Sequence, residues 1–151
     1  MAGTPIQSLD DRLLTFPPAA IWAVLADVAA YPNWWPASVA VRVLSVAPTL
    51  IGSKLEICPK GGKPFRCQIE SCQPSERMTL RYGDFVKGMG EWRLVAQGDQ
   101  TKVSYQLDVV AEGAMIAMIA RMVPLGKLHS QAMQEVLKNL EQETARRATL
   151  K

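Results

Sequence analysis

The sequence predicts an α+β fold in which a curved antiparallel sheet with one apolar face is covered by a long C-terminal helix. Three observations carry this. Between Val39 and Val109 apolar residues recur at every second position in six separate runs, the period of a half-buried strand. The segments joining the runs are short and carry turn residues, as in "PKGGKP", "QPSE", "GDFVKGMG" and "AQGDQ", which links neighbouring strands into a meander. After Gly113 the apolar spacing lengthens to three and four, the period of one helical face. At 151 residues, 48% hydrophobic and 21% charged, one globular domain over residues 1–151 with an ample core is expected.

Residues 6–15 form a weakly alternating, partly charged stretch around Leu9 and Leu13, read as a first, marginal strand. Pro17 and Pro18 fit a helix start, since proline is tolerated where amide donors are unsatisfied anyway. Ile21, Val24, Leu25 and Val28 then mark one helical face ending near Ala30. The alternating runs follow: Val39, Val41 and Val43; Leu55 and Ile57; Phe65, Cys67 and Ile69; Met78, Leu80 and Tyr82; Trp92 and Leu94; Val103, Tyr105, Leu107 and Val109. Pairing Ile57 with Phe65 and Leu55 with Cys67 leaves Lys60, Gly61 and Gly62 as a three-residue loop, which favours a left-handed glycine. The opposite faces read Arg66, Gln68, Glu70, or Arg77, Thr79, Arg81, or Lys102, Ser104, Gln106, Asp108, so one face of the sheet meets water. Met115, Met118, Ile119, Met122, Leu125, His129, Met133, Val136 and Leu140 define the stripe of the final helix, kinked or split by Pro124 and Gly126.

Composition excludes several classes. The net charge of +3 is mild and the basic residues are scattered, apart from Arg146, Arg147 and Lys151, so no nucleic-acid footprint is expected. Cys58, Cys67 and Cys72 lack CxxC spacing and the chain has one histidine, so the cysteines read as reduced core thiols, with no metal and no cofactor called for. "MAGTPIQSLDDR" lacks the apolar run of a secretory signal, and "AMIAMIA" is cut short by Arg121 and Pro124. A soluble, cytoplasmic protein without stable membrane insertion is expected. No phosphate-cradling glycine pattern precedes a helix, and no acid falls on an inward face to complete a Ser-His-Asp set.

"FPPAAIWAVLADVAAYPNWWPASV" resembles the entry segment of the START-like superfamily of polyketide cyclases, dehydrases and lipid-transfer proteins, also called SRPBCC. There a first strand leads through proline into a helix with an Ile-Trp pair, here Ile21 and Trp22; an Asp follows, here Asp27, then Tyr-Pro-x-Trp, here Tyr31, Pro32, Asn33 and Trp34. "GMGEWRLVAQGDQTKVSYQLDV" is similar to its paired late strands and "LKNLEQE" to the end of its long helix. The resemblance implies the helix-grip fold: seven antiparallel strands around the C-terminal helix, two short helices closing one end, and a deep apolar cavity.

One helix cannot easily cover all the large inward side chains. Either the first helix and the Tyr31–Trp35 segment complete a solid core, or a gap remains as a ligand cavity. The candidate ligand-binding residues are Trp34, Trp35, Phe65, Leu80, Tyr82, Trp92, Tyr105, Met118, Met122, His129 and Met133. Tryptophans 34 and 35 wedge the helix pair against the sheet or border the pocket. The two tyrosines and His129 are the inward groups able to orient a ligand or move protons, and the methionines suit a deformable wall. Cys67 has no activating partner and is read as inert. Arg81, Arg93 and Glu91 are assigned to solvent. The expected function is binding or transport of a hydrophobic small molecule such as a lipid, quinone or polyketide. The alternatives are a polyketide cyclase/aromatase with Tyr82, Tyr105 or His129 moving protons, and a partner-binding scaffold. Monomer or homodimer is left open.

Overall fold

A computed structural model describes residues 3–150 of the chain. The strands are β1 (Thr4–Leu14), β2 (Val39–Ser45), β3 (Lys54–Pro59), β4 (Phe65–Gln73), β5 (Arg77–Gly83), β6 (Val86–Gln97) and β7 (Gln100–Ala111). The helices are α1 (Pro18–Ala26), α2 (Tyr31–Trp34), α3 (Ala114–Met122) and α4 (Leu125–Ala148). The seven strands form one antiparallel sheet in the order β1-β7-β6-β5-β4-β3-β2. Five hairpins make the meander from β2 to β7, while β1 crosses the molecule to pair with β7. Strands β1 and β2 are therefore the two edges, and the sheet curls so that α4 lies in its concave face. This is the helix-grip fold.

The alternation of the sequence becomes the core. Leu55, Ile57, Cys67, Ile69, Met78, Leu80, Tyr82, Trp92, Leu94, Val103, Tyr105, Leu107 and Val109 are all buried, and they pack with Met133, Val136, Leu137 and Leu140 of α4. Each large apolar side chain removed from water stabilises the fold by about 1.5–3 kcal/mol. The β3–β4 register is the one inferred from the spacing: Ile57 faces Phe65 and Leu55 faces Cys67. Its turn is closed by the Gly62 amide donating to the Pro59 carbonyl (3.0 Å), with Gly61 in the left-handed region at φ 76°.

Helix α1 starts behind Pro17 as expected but ends at Ala26, and one tight helical turn over Val28–Ala30 hands the chain to α2. The strand read around Leu9 and Leu13 is present as β1, and longer than its weak alternation suggested. Its buried positions are Asp10 and Leu14, whereas Leu9 and Leu13 point to solvent. The inner face carries Ile6, Ser8, Asp10, Arg12 and Leu14, so the two leucines that marked the strand in the sequence lie on its outer face. One other expectation needs correction, that of the methionine stripe. Val123 is extended (φ −137°, ψ 144°) ahead of Pro124, as the residue before a proline prefers, and this splits the final helix. Helix α3 is thereby rotated off the stripe of α4: Ile116 packs on the core, but Met115, Met118 and Met122 are 72%, 58% and 81% exposed.

Polar contacts hold α4 along its length. From β1, Ser8 bonds His129 (2.7 Å), Ser130 donates to Asp10 (3.1 Å), and Arg12 donates to Glu141 (3.1 and 2.9 Å). On the other side Ser38, just before β2, donates to Glu135 (2.7 Å), and Asn139 donates to the Trp34 carbonyl (2.8 Å). Where α4 begins it lies almost on the backbone of β1: a Cβ on Gly126 would stand 2.7 Å from the Gln7 carbonyl oxygen, so only glycine fits. Among the described residues no helix is long and apolar enough to cross a membrane.

The far end of α4 closes on α1 through Glu143, which accepts from Arg146 (2.8 and 2.7 Å) and Arg147 (2.9 Å), while Arg147 also donates to Asp27 (2.9 Å). The Arg146 hydrogen bonds, with those of Arg147, outweigh burial and pull the Glu143 carboxyl down from 4.5 to about 2. A carboxylate held below its unfolded value adds stability at pH above 4.5 that is lost as pH falls toward about 2. Glu143→Gln should therefore lower stability at neutral pH by about 1–3 kcal/mol and flatten the acid limb in that window, as measured by thermal melts across pH.

Candidate functional site

Inside the grip the sheet contributes a continuous aromatic chain. Phe65 of β4 contacts Phe85, in the β5–β6 turn, and Tyr82 of β5, with ring centroids 6.2 and 5.8 Å apart. The Tyr82 hydroxyl meets that of Tyr105 on β7 at 2.6 Å, and Tyr105 packs on Trp92 of β6 at 4.9 Å. His129 of α4 completes the chain with its ring 6.1 Å from Tyr105. Period-two alternation on adjacent antiparallel strands puts these side chains on one face. Gly90, between Tyr82 and Tyr105, makes room: a Cβ there would overlap the Tyr105 hydroxyl and stand 2.7 Å from its Cζ.

A second cluster comes from α2. Tyr31 stacks on Trp35 (5.4 Å, 21°) and meets Trp34 edge-on (5.4 Å, 69°), with the two indoles 5.3 Å apart. The buried Tyr31 hydroxyl donates to the Leu25 carbonyl, pinning α2 under α1. The indole N–H groups of Trp34 and Trp35 are buried and have no hydrogen-bond partner.

The candidates thus fall into groups. Phe65, Tyr82, Trp92, Tyr105 and His129 come together, with buried Leu80 opposite Gly90 in the β5–β6 ladder; Trp34 and Trp35 form the second cluster; Met133 is buried on α4. Met118 and Met122 stand apart on the outer face of α3. Arg81 and Arg93 are exposed, as assigned; Glu91 is half-buried on the same face and pairs with Arg93 (2.7 Å).

The electrostatics limit the chemistry. Burial raises the Tyr82 and Tyr105 hydroxyls well above the usual phenol value, so both stay protonated and serve as donors rather than bases. Burial likewise pushes the Cys67 thiol up to about 12, far from the thiolate a nucleophile needs. His129 is pulled below 6.5 by burial, against the opposing pull of Asp10, which keeps its imidazole neutral near pH 7 and capable of accepting a proton. Asp10 was missed in the sequence, where no acid was placed on an inward face. It is buried, bonds Ser130, and sits on the same strand face as Ser8, the partner of His129 Nδ1. Reading Ile6 and Leu14 rather than Leu9 and Leu13 as the apolar markers of β1 would have found it. Among the described residues no group of three or more His, Cys, Asp or Glu stands close enough to hold a metal ion.

An open depression of about 640 Å³ lies on the outer face of β3–β5, lined by Lys54, Arg66, Gln68, Glu70 and Arg81. It is on the opposite side of the sheet from the aromatic chain.

The profile of the family described as polyketide cyclase/dehydrase and lipid transport matches residues 14–138. The chain belongs to this family. The matched span runs from the end of β1 through most of α4, and so takes in both aromatic clusters. Among solved structures the fold is similar to that of a Thermus thermophilus protein (16% identity, 93% of this chain and 97% of that one, TM-score 0.77). It is also similar to an aromatase/cyclase from a Streptomyces species (17% identity, 95% and 96%, TM-score 0.70) and to a START superfamily protein from Mycobacterium smegmatis (18% identity, 93% and 97%, TM-score 0.67). At such identities the likeness concerns the fold alone. Among curated proteins nothing matches.

In this family member Gly90 tests whether the tyrosine pair needs its space. Gly90→Ala should cost about 1–3 kcal/mol by overpacking and displace the Tyr105 ring from Trp92. Chemical denaturation and near-ultraviolet circular dichroism measure the two effects.

Proposed function

We propose that this protein binds a hydrophobic small molecule inside the grip and carries it, a lipid, a quinone or a polyketide-like compound being the ligand class. The observation that supports this best is the Tyr82–Tyr105 pair. Two hydroxyls bonded only to each other at 2.6 Å share one hydrogen bond between two hydrogens, which leaves one O–H without an acceptor in apolar surroundings. Apolar walls with a few placed polar groups are what a small-molecule site offers. With both phenols held protonated, the pair orients a ligand rather than abstracting a proton from it. The free thiols of Cys58, Cys67 and Cys72 suit a reducing compartment such as the cytoplasm.

The second reading, a cyclase or aromatase, draws on one specific arrangement: neutral His129 fixed by Ser8, with Asp10 on the same strand face. An imidazole so placed is a candidate acid–base group for a flexible poly-ketone.

Titration with an apolar fluorophore is expected to give micromolar affinity, about 8 kcal/mol, with quenching of tryptophan emission. His129→Leu separates the two readings. For a carrier, the variant folds, and wild type and variant alike leave a poly-ketone unconverted. Turnover by the wild type that vanishes in a folded His129→Leu protein establishes the cyclase reading, and absence of any binding removes both.

A further inference from the structure

Trp34 and Trp35 hold the only buried side-chain nitrogen or oxygen atoms without a hydrogen-bond partner among the described residues. Both are donors, and an indole N–H can do nothing else. A buried donor left unmet is destabilising, which is why native interiors almost always supply a partner. Two main-chain groups beside them are already taken: the Trp35 amide donates to the Tyr31 carbonyl (2.9 Å), and the Trp34 carbonyl accepts from Asn139 (2.8 Å). The neighbouring Tyr31 hydroxyl is committed to Leu25. The two indoles are therefore fixed by their backbone and by stacking, with the polar edge of each left unanswered.

We propose that the Trp34 and Trp35 N–H groups are the polar subsite of the ligand, donating to neutral carbonyl-type oxygens; this rests on the reading that the grip holds a hydrophobic molecule. The class follows from what is unmet. The surplus consists of donors: two indole N–H groups and the one spare hydrogen of the tyrosine pair. A hydrocarbon ligand leaves all of them unsatisfied. An alcohol or amine brings further hydrogens of its own that need acceptors. A carboxylate brings acceptors, but among the described residues the buried polar side chains are Asp10, Ser53, Thr101, Glu143 and Thr144, with no lysine or arginine to balance a buried anion. A ketone, quinone or ester oxygen accepts without adding donors or charge.

The test uses three tricyclic probes of one shape: fluorene, its ketone fluorenone, and fluorene carboxylate, each titrated by equilibrium dialysis against the whole chain. Fluorenone is expected to bind about tenfold more tightly than fluorene, the effect of one to two buried hydrogen bonds, with the carboxylate weakest. Trp34→Phe and Trp35→Phe should each shrink the ketone-to-hydrocarbon ratio. Should either variant fail to fold, proton–nitrogen correlation spectra of the wild-type indoles give an independent readout. The resonances of Trp34 and Trp35, and not those of Trp22 and Trp92, are expected to move downfield with fluorenone and stay in place with fluorene. Equal affinity for ketone and hydrocarbon with unmoved indole resonances overturns the inference while leaving the binding function intact. Indole protons that exchange with an ordered water both before and after the ketone is added also overturn it. Failure of all three probes to bind overturns the binding function itself, and this inference with it.

Discussion

The structure depends on one constraint: α4 must be held at once by the edge strand β1 and by the segment that leads into the opposite edge. A curled sheet whose edges are free exposes two rows of unpaired backbone groups and half its apolar face. Here β1 grips α4 through Ser8, Asp10 and Arg12, while the segment entering β2 reaches it through Ser38 and the Trp34 carbonyl. These contacts are individually modest, because exposed or half-exposed pairs contribute little. Their effect is positional. They fix the rotation of α4, which aims Met133, Val136, Leu137 and Leu140 at the sheet and sets His129 beside Tyr105. The strands set the rest of the aromatic chain, and only its His129 end takes its position from that rotation.

Much of the fold was legible because the sheet obeys a simple period. From Leu55 to Val109, choosing the apolar member of each alternating pair identifies the inner face, and the β3–β4 register follows from that choice. The rule failed in β1. There Leu9 and Leu13 are the conspicuous apolar residues, yet the inner face is polar in its middle because it meets a helix that presents His129, Ser130 and Glu141 instead of aliphatic carbons. Strand phase at that edge was decided by hydrogen-bond partners far away in sequence, which no local pattern records. The split between α3 and α4 was visible in Pro124. The rotation it imposes was not, since a continuous stripe drawn through Met115, Met118 and Met122 assumes the single helix axis that Pro124 abolishes.

For the candidate site the residues were easier to find than their relations. Tyr82, Trp92 and Tyr105 stand out as inward aromatics on neighbouring strands, and "YPNWW" stands out by composition. That the two tyrosine hydroxyls bond each other depends on Gly90, which reads in the sequence as part of an ordinary turn signal. Asp10 beside Ser130 required the correct phase of β1. Unmet donors are the hardest to read: they are defined by what surrounds an atom in three dimensions, and a tryptophan in a sequence carries no mark of whether its nitrogen has found a partner.

The topology also orders the assembly of the chain in time. Strand β1 is made before the other six, but its partner β7 comes only after the whole meander between them, and α4, which packs along β1, comes after that. During synthesis β1 therefore has neither ladder nor lid, and pairing across so long a loop is slow because closure entropy is spent before contacts repay it. Its outward Leu9 and Leu13 and its polar inner face make it a poor template for self-association on either side: the one lacks a continuous apolar strip, and the other carries charge. The same polar middle that suits β1 to a late-arriving helix thus leaves the early strand without a continuous apolar strip on either face.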